Sequence, residues 1–270
     1  MRTLLFCFLI LSVTAARADL LAGWEGVDPA SDTVIDHQVW QEFLDKYLKQ
    51  DDFGQTYFSY ARVGINEQAK LQIYIHELET INPLRLNANE QKAYWINLYN
   101  AATVAIVLEE YPINSIRDIG SKLGGLIPGG PWKRKIVTVN DQKLSLDNIE
   151  HDIVRPKFND YRVHFAFNCA SKGCPNLADT AYSGANIDML LNEAAVAFVN
   201  HQRGVRFQSG RLTLSKIFQW YQADFVDEEG QLTVFLAQLA EPKLRAVLLA
   251  YQGGINYEYD WDLNEVRESL

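Results

Sequence analysis

The stretch Asn89-Glu-Gln-Lys-Ala-Tyr94-Trp95-Ile-Asn97-Leu-Tyr99-Asn100-Ala-Ala-Thr103-Val-Ala-Ile-Val-Leu108-Glu-Glu-Tyr111, stopped by Pro112, decides how this chain is read. It holds no glycine or proline, and Pro112 ends it because proline lacks an N–H and restricts the residue before it. Apolar residues fall on almost every side, so the pattern predicts a buried central helix at about 89–111 rather than a surface helix with one greasy stripe. Asn97 and Asn100 share a face, and Thr103 continues it. Buried amides need partners, so these asparagines either tie the helix to neighbouring loops or line a site.

Working outward, Asp36 caps a helix whose Val39, Trp40, Phe43, Leu44, Tyr47 and Leu48 form a stripe, and a second helix spans Glu67 to Glu79. On the other side, Gly120 to Lys135, with Gly124-Gly125, Pro128-Gly129-Gly130-Pro131 and Trp132, is an irregular connection suited to covering a cleft. A hairpin of Lys135 to Val139 and Gln142 to Leu144 turns at Asn140-Asp141, and Ser145 caps a short helix, Leu146 to Arg155, ended by Pro156. The run Tyr161 to Phe167 alternates as a half-buried strand would, with Val163, Phe165 and Phe167 opposite Arg162, His164 and Ala166. Later come a helix at Ile187 to Gln202 and a hairpin of Val205 to Gln208 with Arg211 to Leu214. A helix from Lys216 to Phe225 is capped by Ser215, and a helical stretch from Leu232 to Tyr251 is interrupted near Pro242. This order predicts a mostly helical α+β domain around a small antiparallel sheet, with no βαβ nucleotide fold. A composition 48% hydrophobic, with no Pro/Ser-rich linker, predicts one domain over residues 19–270.

Residues 1–18 read as Arg2, an apolar run from Leu4 to Val13, then Ala16-Arg17-Ala18, the pattern of a cleavable signal peptide. The expectation is an exported protein, periplasmic or secreted, cut near Ala18. No stretch reaches the roughly 20 apolar residues of a membrane span. Losing Arg2 and Arg17 takes the charge from −9 to −11, which argues against nucleic acid; Lys133-Arg134-Lys135 is only a short basic cluster. The expected partner is a peptide or small-molecule substrate.

Signal cleavage removes Cys7 and leaves Cys169 and Cys174, in Arg162-Val-His164-Phe-Ala-Phe-Asn168-Cys169-Ala-Ser-Lys-Gly-Cys174-Pro175. Two thiols without a second Cys pair or a His-x-x-x-His do not make a zinc site, and neither metal nor cofactor is expected. One reading is a cysteine hydrolase or acyl transferase. Cys169 would be the nucleophile, His151 or His164 its base, and Asn97 or Asn100 an orienting or oxyanion-binding group. Glu150, next to His151, diverges from it on a helix and is a poor orienter. A second reading is a Cys169–Cys174 disulfide in a non-catalytic binding or structural module, with Trp95, Trp132, Trp220 and Trp261 bordering a cleft for sugars or hydrophobic peptides. A third is thiol-disulfide exchange, although the spacing is not Cys-x-x-Cys. Glycoside hydrolysis by Glu150, Asp147 and Asp152 lacks any constraint on carboxylate separation.

Several separated motifs, in order, resemble the domain-of-unknown-function 547 family. They are Ala93-Tyr-Trp-Ile-Asn97-Leu-Tyr-Asn100-Ala, Ser145-Leu-Asp-Asn-Ile-Glu150-His151 through Arg155-Pro156, and His164-Phe-Ala-Phe-Asn-Cys169 through Cys174-Pro175. Leu214-Ser-Lys-Ile-Phe-Gln-Trp220-Tyr221 with Asp224-Phe225, and Tyr259-Asp-Trp261-Asp-Leu-Asn264, complete the set. The resemblance spans about Trp40 to Asn264 and implies an exported bacterial member, but it brings no established activity.

Overall fold

The computed structural model describes residues 21–120 and 130–266. The leader read at 1–18, and Gly124, Gly125, Pro128 and Gly129 of the irregular connection, lie outside the described residues. Asp36 accepts the Gln38 N–H at 2.8 Å where α1, Gln38–Tyr47, begins. Trp40, Phe43, Leu44 and Tyr47 are buried as the stripe requires, whereas Val39 is exposed and Leu48 has already left the helix. Strands β1 (Leu48–Gln50) and β2 (Thr56–Phe58) pair antiparallel, and α2 follows at Ile65–Thr80.

The central helix is α3, Ala88–Glu110, opened by Asn87, whose side chain accepts the Glu90 N–H. Every residue from Glu90 to Leu108 is buried, so the missing polar face in the sequence reports full enclosure. Next, β3 (Lys135–Val139) and β4 (Gln142–Ser145) form the expected hairpin. Asn140 and Asp141 take φ of 49° and 61°, the left-handed pair that suits a two-residue turn.

Two local expectations fail. Ser145 does open the following helix, accepting the Asn148 N–H, but Asn148–Val154 winds as a π-helix. It then runs on into α4, Arg155–Phe158, with Pro156 inside it. Proline has no N–H for the Asp152 carbonyl, and Leu21 donates to that oxygen instead at 2.7 Å. Secondly, Tyr161–Phe165 is a 3₁₀ helix, not a strand, capped by Asp160 accepting the Arg162 N–H at 3.1 Å. Val163 to Phe167 are all buried, so alternation there marks no solvent side. This turn joins two apolar clusters. Val163, Ala166 and Phe167 pack around α3, while Phe165 packs with Phe198, Phe218 and Phe225.

The second cluster is enclosed by α5 (Ile187–Asn200), β5 (Val205–Gln208) and β6 (Arg211–Ser215), then α6 (Lys216–Trp220) and α7 (Gln222–Phe225), which split the expected single helix at Tyr221. Helices α8 (Leu232–Leu239) and α9 (Pro242–Ala250) break at Pro242 as read. An unforeseen strand, β7 (Ile255–Glu258), joins β6 in parallel, with Leu212 opposite Ile255. The domain is thus mostly helical α+β, its strands divided among small sheets.

Candidate functional site

Asn100 and Asn97 anchor the loops around the site rather than line it. Asn100 accepts the Asn168 N–H and donates to the Ala166 carbonyl, both at 2.9 Å. Asn97 makes the same two-way bridge to Tyr182, at 3.1 and 2.7 Å. Each amide bonds backbone on both its oxygen and its nitrogen, and neither lines the cavity that holds Cys169. Asn168 continues the frame, accepting the Ala170 N–H and donating to the Pro175 carbonyl. Ala170 takes φ of 57°, a left-handed conformation costing a non-glycine residue about 1 kcal/mol. Its carbonyl accepts the Asn264 N–H, while Lys172 and Gly173 donate to the carbonyls of Asp262 and Asp260. At Gly173 a Cβ would lie 2.7 Å from the Asp260 nitrogen, so glycine alone allows the tail this close.

That frame presents Cys169 to a cavity of about 290 Å³. The disulfide alternative is not what the structure holds. Both cysteines are free, with sulfurs 2.8 Å apart. Cys174 receives the Cys169 N–H at 2.9 Å and turns its own thiol to Cys169. The Cys169 sulfur also meets the Ser171 and Tyr259 hydroxyls at 3.1 and 3.0 Å. The bond from Cys174, then those from Ser171 and Tyr259, hold the Cys169 thiol below its ordinary value against the opposing effect of burial. Burial, followed by the neighbouring Cys169, pushes Cys174 and Tyr259 upward, which keeps both as donors.

Across the cavity stands His164, fully buried and stacked on Tyr221 at 4.3 Å. Its Nε2 lies 2.6 Å from Asp224 Oδ2; a carboxylate only accepts, so Nε2 carries the hydrogen. Burial lowers the His164 pKa despite Asp224, leaving a neutral ring. Its Nδ1 is buried without a hydrogen-bond partner, 3.8 Å from Glu150 Oε1. Asp224 pairs in turn with Arg155 at 2.7 Å, and the bonds from His164 and Arg155 outweigh burial and hold it far below the carboxylate range.

The π turn sets the other wall. Asp147, His151 and Arg155 recur every four residues, with His151 3.9 Å from Asp147 and 3.1 Å from Arg155. Arginine only donates, so His151 Nδ1 is an acceptor already engaged. Glu150 and the three exposed-end aromatics Trp132, Trp220 and Trp261 complete the lining, whereas Trp95 is core. Neither imidazole is hydrogen-bonded to Cys169; the cavity brings His164, His151 and Glu150 to the same space as the thiol, not into contact with it. Sequence reasoning missed Asp224, Arg155, Tyr221 and Tyr259 as site residues, although each stands in a motif that carries the family resemblance. Among the described residues no three His, Cys, Asp or Glu side chains gather as a metal site, and no helix is long and apolar enough to cross a membrane.

No curated protein and no solved structure matches the chain. Residues 83–199, from the approach to α3 through the Cys loop to α5, match the family described as Protein of unknown function, DUF547, which supports the domain family that the motifs resemble.

Proposed function

We propose that the protein is a cysteine-nucleophile hydrolase or acyl transferase. The observation that carries this reading is one cavity lined by a free, hydrogen-bonded Cys169 and by His164, whose Nε2 is clamped to Asp224 and whose Nδ1 is unpartnered. The Cys169 thiolate attacks the carbonyl carbon of an acyl donor, a C–S bond forms, and the bond to the leaving group breaks. His164 Nδ1 moves the protons, taking one from the thiol or a water and returning it to the leaving group, while Asp224 and Glu150 hold the imidazolium. The His164–Asp224 pair is thus base and orienter, with substrate entering between it and the sulfur. His151 is a positioning residue for Arg155.

Exposure to an activated ester such as p-nitrophenyl acetate, followed by intact-mass and peptide mapping, tests the reading. An acyl adduct on Cys169 that turns over in wild type and persists in H164A is expected; acylation only of lysines would refute it. Thiol-disulfide exchange is the second reading, favoured by the 2.8 Å sulfur contact. C174S removes it and leaves the acyl chemistry. Export is proposed on Arg2, Leu4 to Val13 and Ala16-Arg17-Ala18, and Edman sequencing of the protein recovered from cells tests it by whether the chain starts at Asp19.

A further inference from the structure

A second cavity of about 730 Å³ shares Tyr259 and Trp261 with the Cys169 cavity. Its other walls carry a concentration of positive charge unusual for a chain of net charge −9: Arg203, Arg206 and Lys216, against Glu258 and Asp260. Arg206 is neutralised by Glu258 at 2.5 Å. Arg203 makes no direct ion pair, and Asp51 acts on it only from beyond contact distance. One of its nitrogens donates to the Asn176 side-chain oxygen, its guanidinium lies 5.6 Å over the Phe198 ring, and its Nε is buried without any partner. Burial lowers its pKa to about 10, so it remains charged at neutral pH, largely desolvated and without a carboxylate in contact. Among the described residues Lys216 has no carboxylate partner either.

A largely desolvated guanidinium with an unsatisfied N–H and an unpaired ammonium in the lining of one groove suit an oxyanion. The lining groups carry three positive and two negative charges, an excess of one, which matches a singly charged carboxylate and disfavours a phosphate dianion next to Glu258 and Asp260. The wall common to both cavities is Tyr259, the residue whose hydroxyl meets the Cys169 sulfur. The larger groove and the cavity of the thiol thus adjoin at Tyr259 and Trp261.

We propose that this groove seats a free carboxylate of the acyl donor on Arg203 and Lys216, so that the substrate class is a carboxylate-tailed acyl compound. Its role in turnover rests on the acyl-transfer reading; binding in the groove does not. The test has two arms. In the C169A protein, tryptophan fluorescence follows titration with monomethyl glutarate, which carries one carboxylate, with neutral glutaramide and with inorganic phosphate. Saturable binding of monomethyl glutarate alone is expected, weakened at least tenfold in R203Q. K216Q, at a second, half-buried position of the lining, gives the same reading should R203Q fail to fold. In the wild type, kcat/KM for p-nitrophenyl hydrogen glutarate is compared with that for p-nitrophenyl butyrate, and the preference for the anionic ester is expected to fall at least tenfold in R203Q or K216Q. Monomethyl glutarate binding without ester turnover keeps the groove and removes the acyl reading. Turnover without monomethyl glutarate binding or anionic preference removes the groove, as does failure of both arms, and phosphate binding tighter than monomethyl glutarate overturns the carboxylate assignment.

Discussion

The thiol of Cys169 owes its character to three donors, so each donor is a handle on its reactivity. A hydrogen bond to a charged group contributes about 1.5–3 kcal/mol, and one pKa unit is about 1.4 kcal/mol. Y259F and S171A should therefore each raise the Cys169 pKa and slow its alkylation at pH 7, by up to roughly tenfold. The pH dependence of iodoacetamide labelling checks this. At His164 the orienting partner is decisive. D224N presents an amide that can donate to Nε2 and favours the wrong tautomer, so ester turnover should fall at least about a hundredfold, while labelling of Cys169, whose bonds do not pass through Asp224, changes far less. The cysteines and histidines were legible in the sequence because their chemistry is scarce. Asp224 was not, because it meets His164 across 60 residues of chain, and Tyr259 meets Cys169 across 90.

Among the elements, α3 does more than fill the core, since Asn97 and Asn100 fix the loops that carry the site. N100A leaves the Asn168 N–H and the Ala166 carbonyl unpaired in a dry interior, which should cost about 2–4 kcal/mol in urea unfolding. It should also slow Cys169 labelling, because the loop loses its anchor. G173A should separate the tail from the Cys loop and lower both stability and labelling, whereas G210A, at a hairpin tip with open space around it, should cost only the strain of its positive φ. Long periodic helices and the Asn140-Asp141 turn were readable because their signals are local. The 3₁₀ turn at Tyr161–Phe165 was not, since both its sides are buried, and the π-helix was hidden because it depends on Leu21 reaching the Asp152 carbonyl. Strand β7 escaped for a related reason: its partner β6 lies some 40 residues earlier and pairs in parallel.

For the whole molecule, buried titratable groups set the acid limit of stability. Burial lowers His37 from 6.5 to about 4, so its contribution is complete above pH 6.5 and is lost as pH falls through 4. Hydrogen bonds from Arg162 and Lys92 outweigh burial and hold Asp160 at about 2, so its contribution is complete above about pH 4 and is lost toward pH 2. Unfolding free energy should thus decline in two stages on acidification, with about 3 kcal/mol from His37 in the upper and about 2 kcal/mol from Asp160 in the lower. D160N should shrink the lower stage to the share that Asp224 contributes and leave the upper one, as urea titrations at successive pH values will show. The acyl chemistry requires Cys169 to be a stabilised thiolate that shares its cavity with a clamped imidazole. The most direct measurement is the pH profile of alkylation in the reduced protein, with the labelled cysteine identified by peptide mass. Labelling of Cys169 ahead of Cys174, with a midpoint clearly below the ordinary thiol value of about 8.5, is the expected result. A midpoint at or above that value, or Cys174 labelling first, would contradict it.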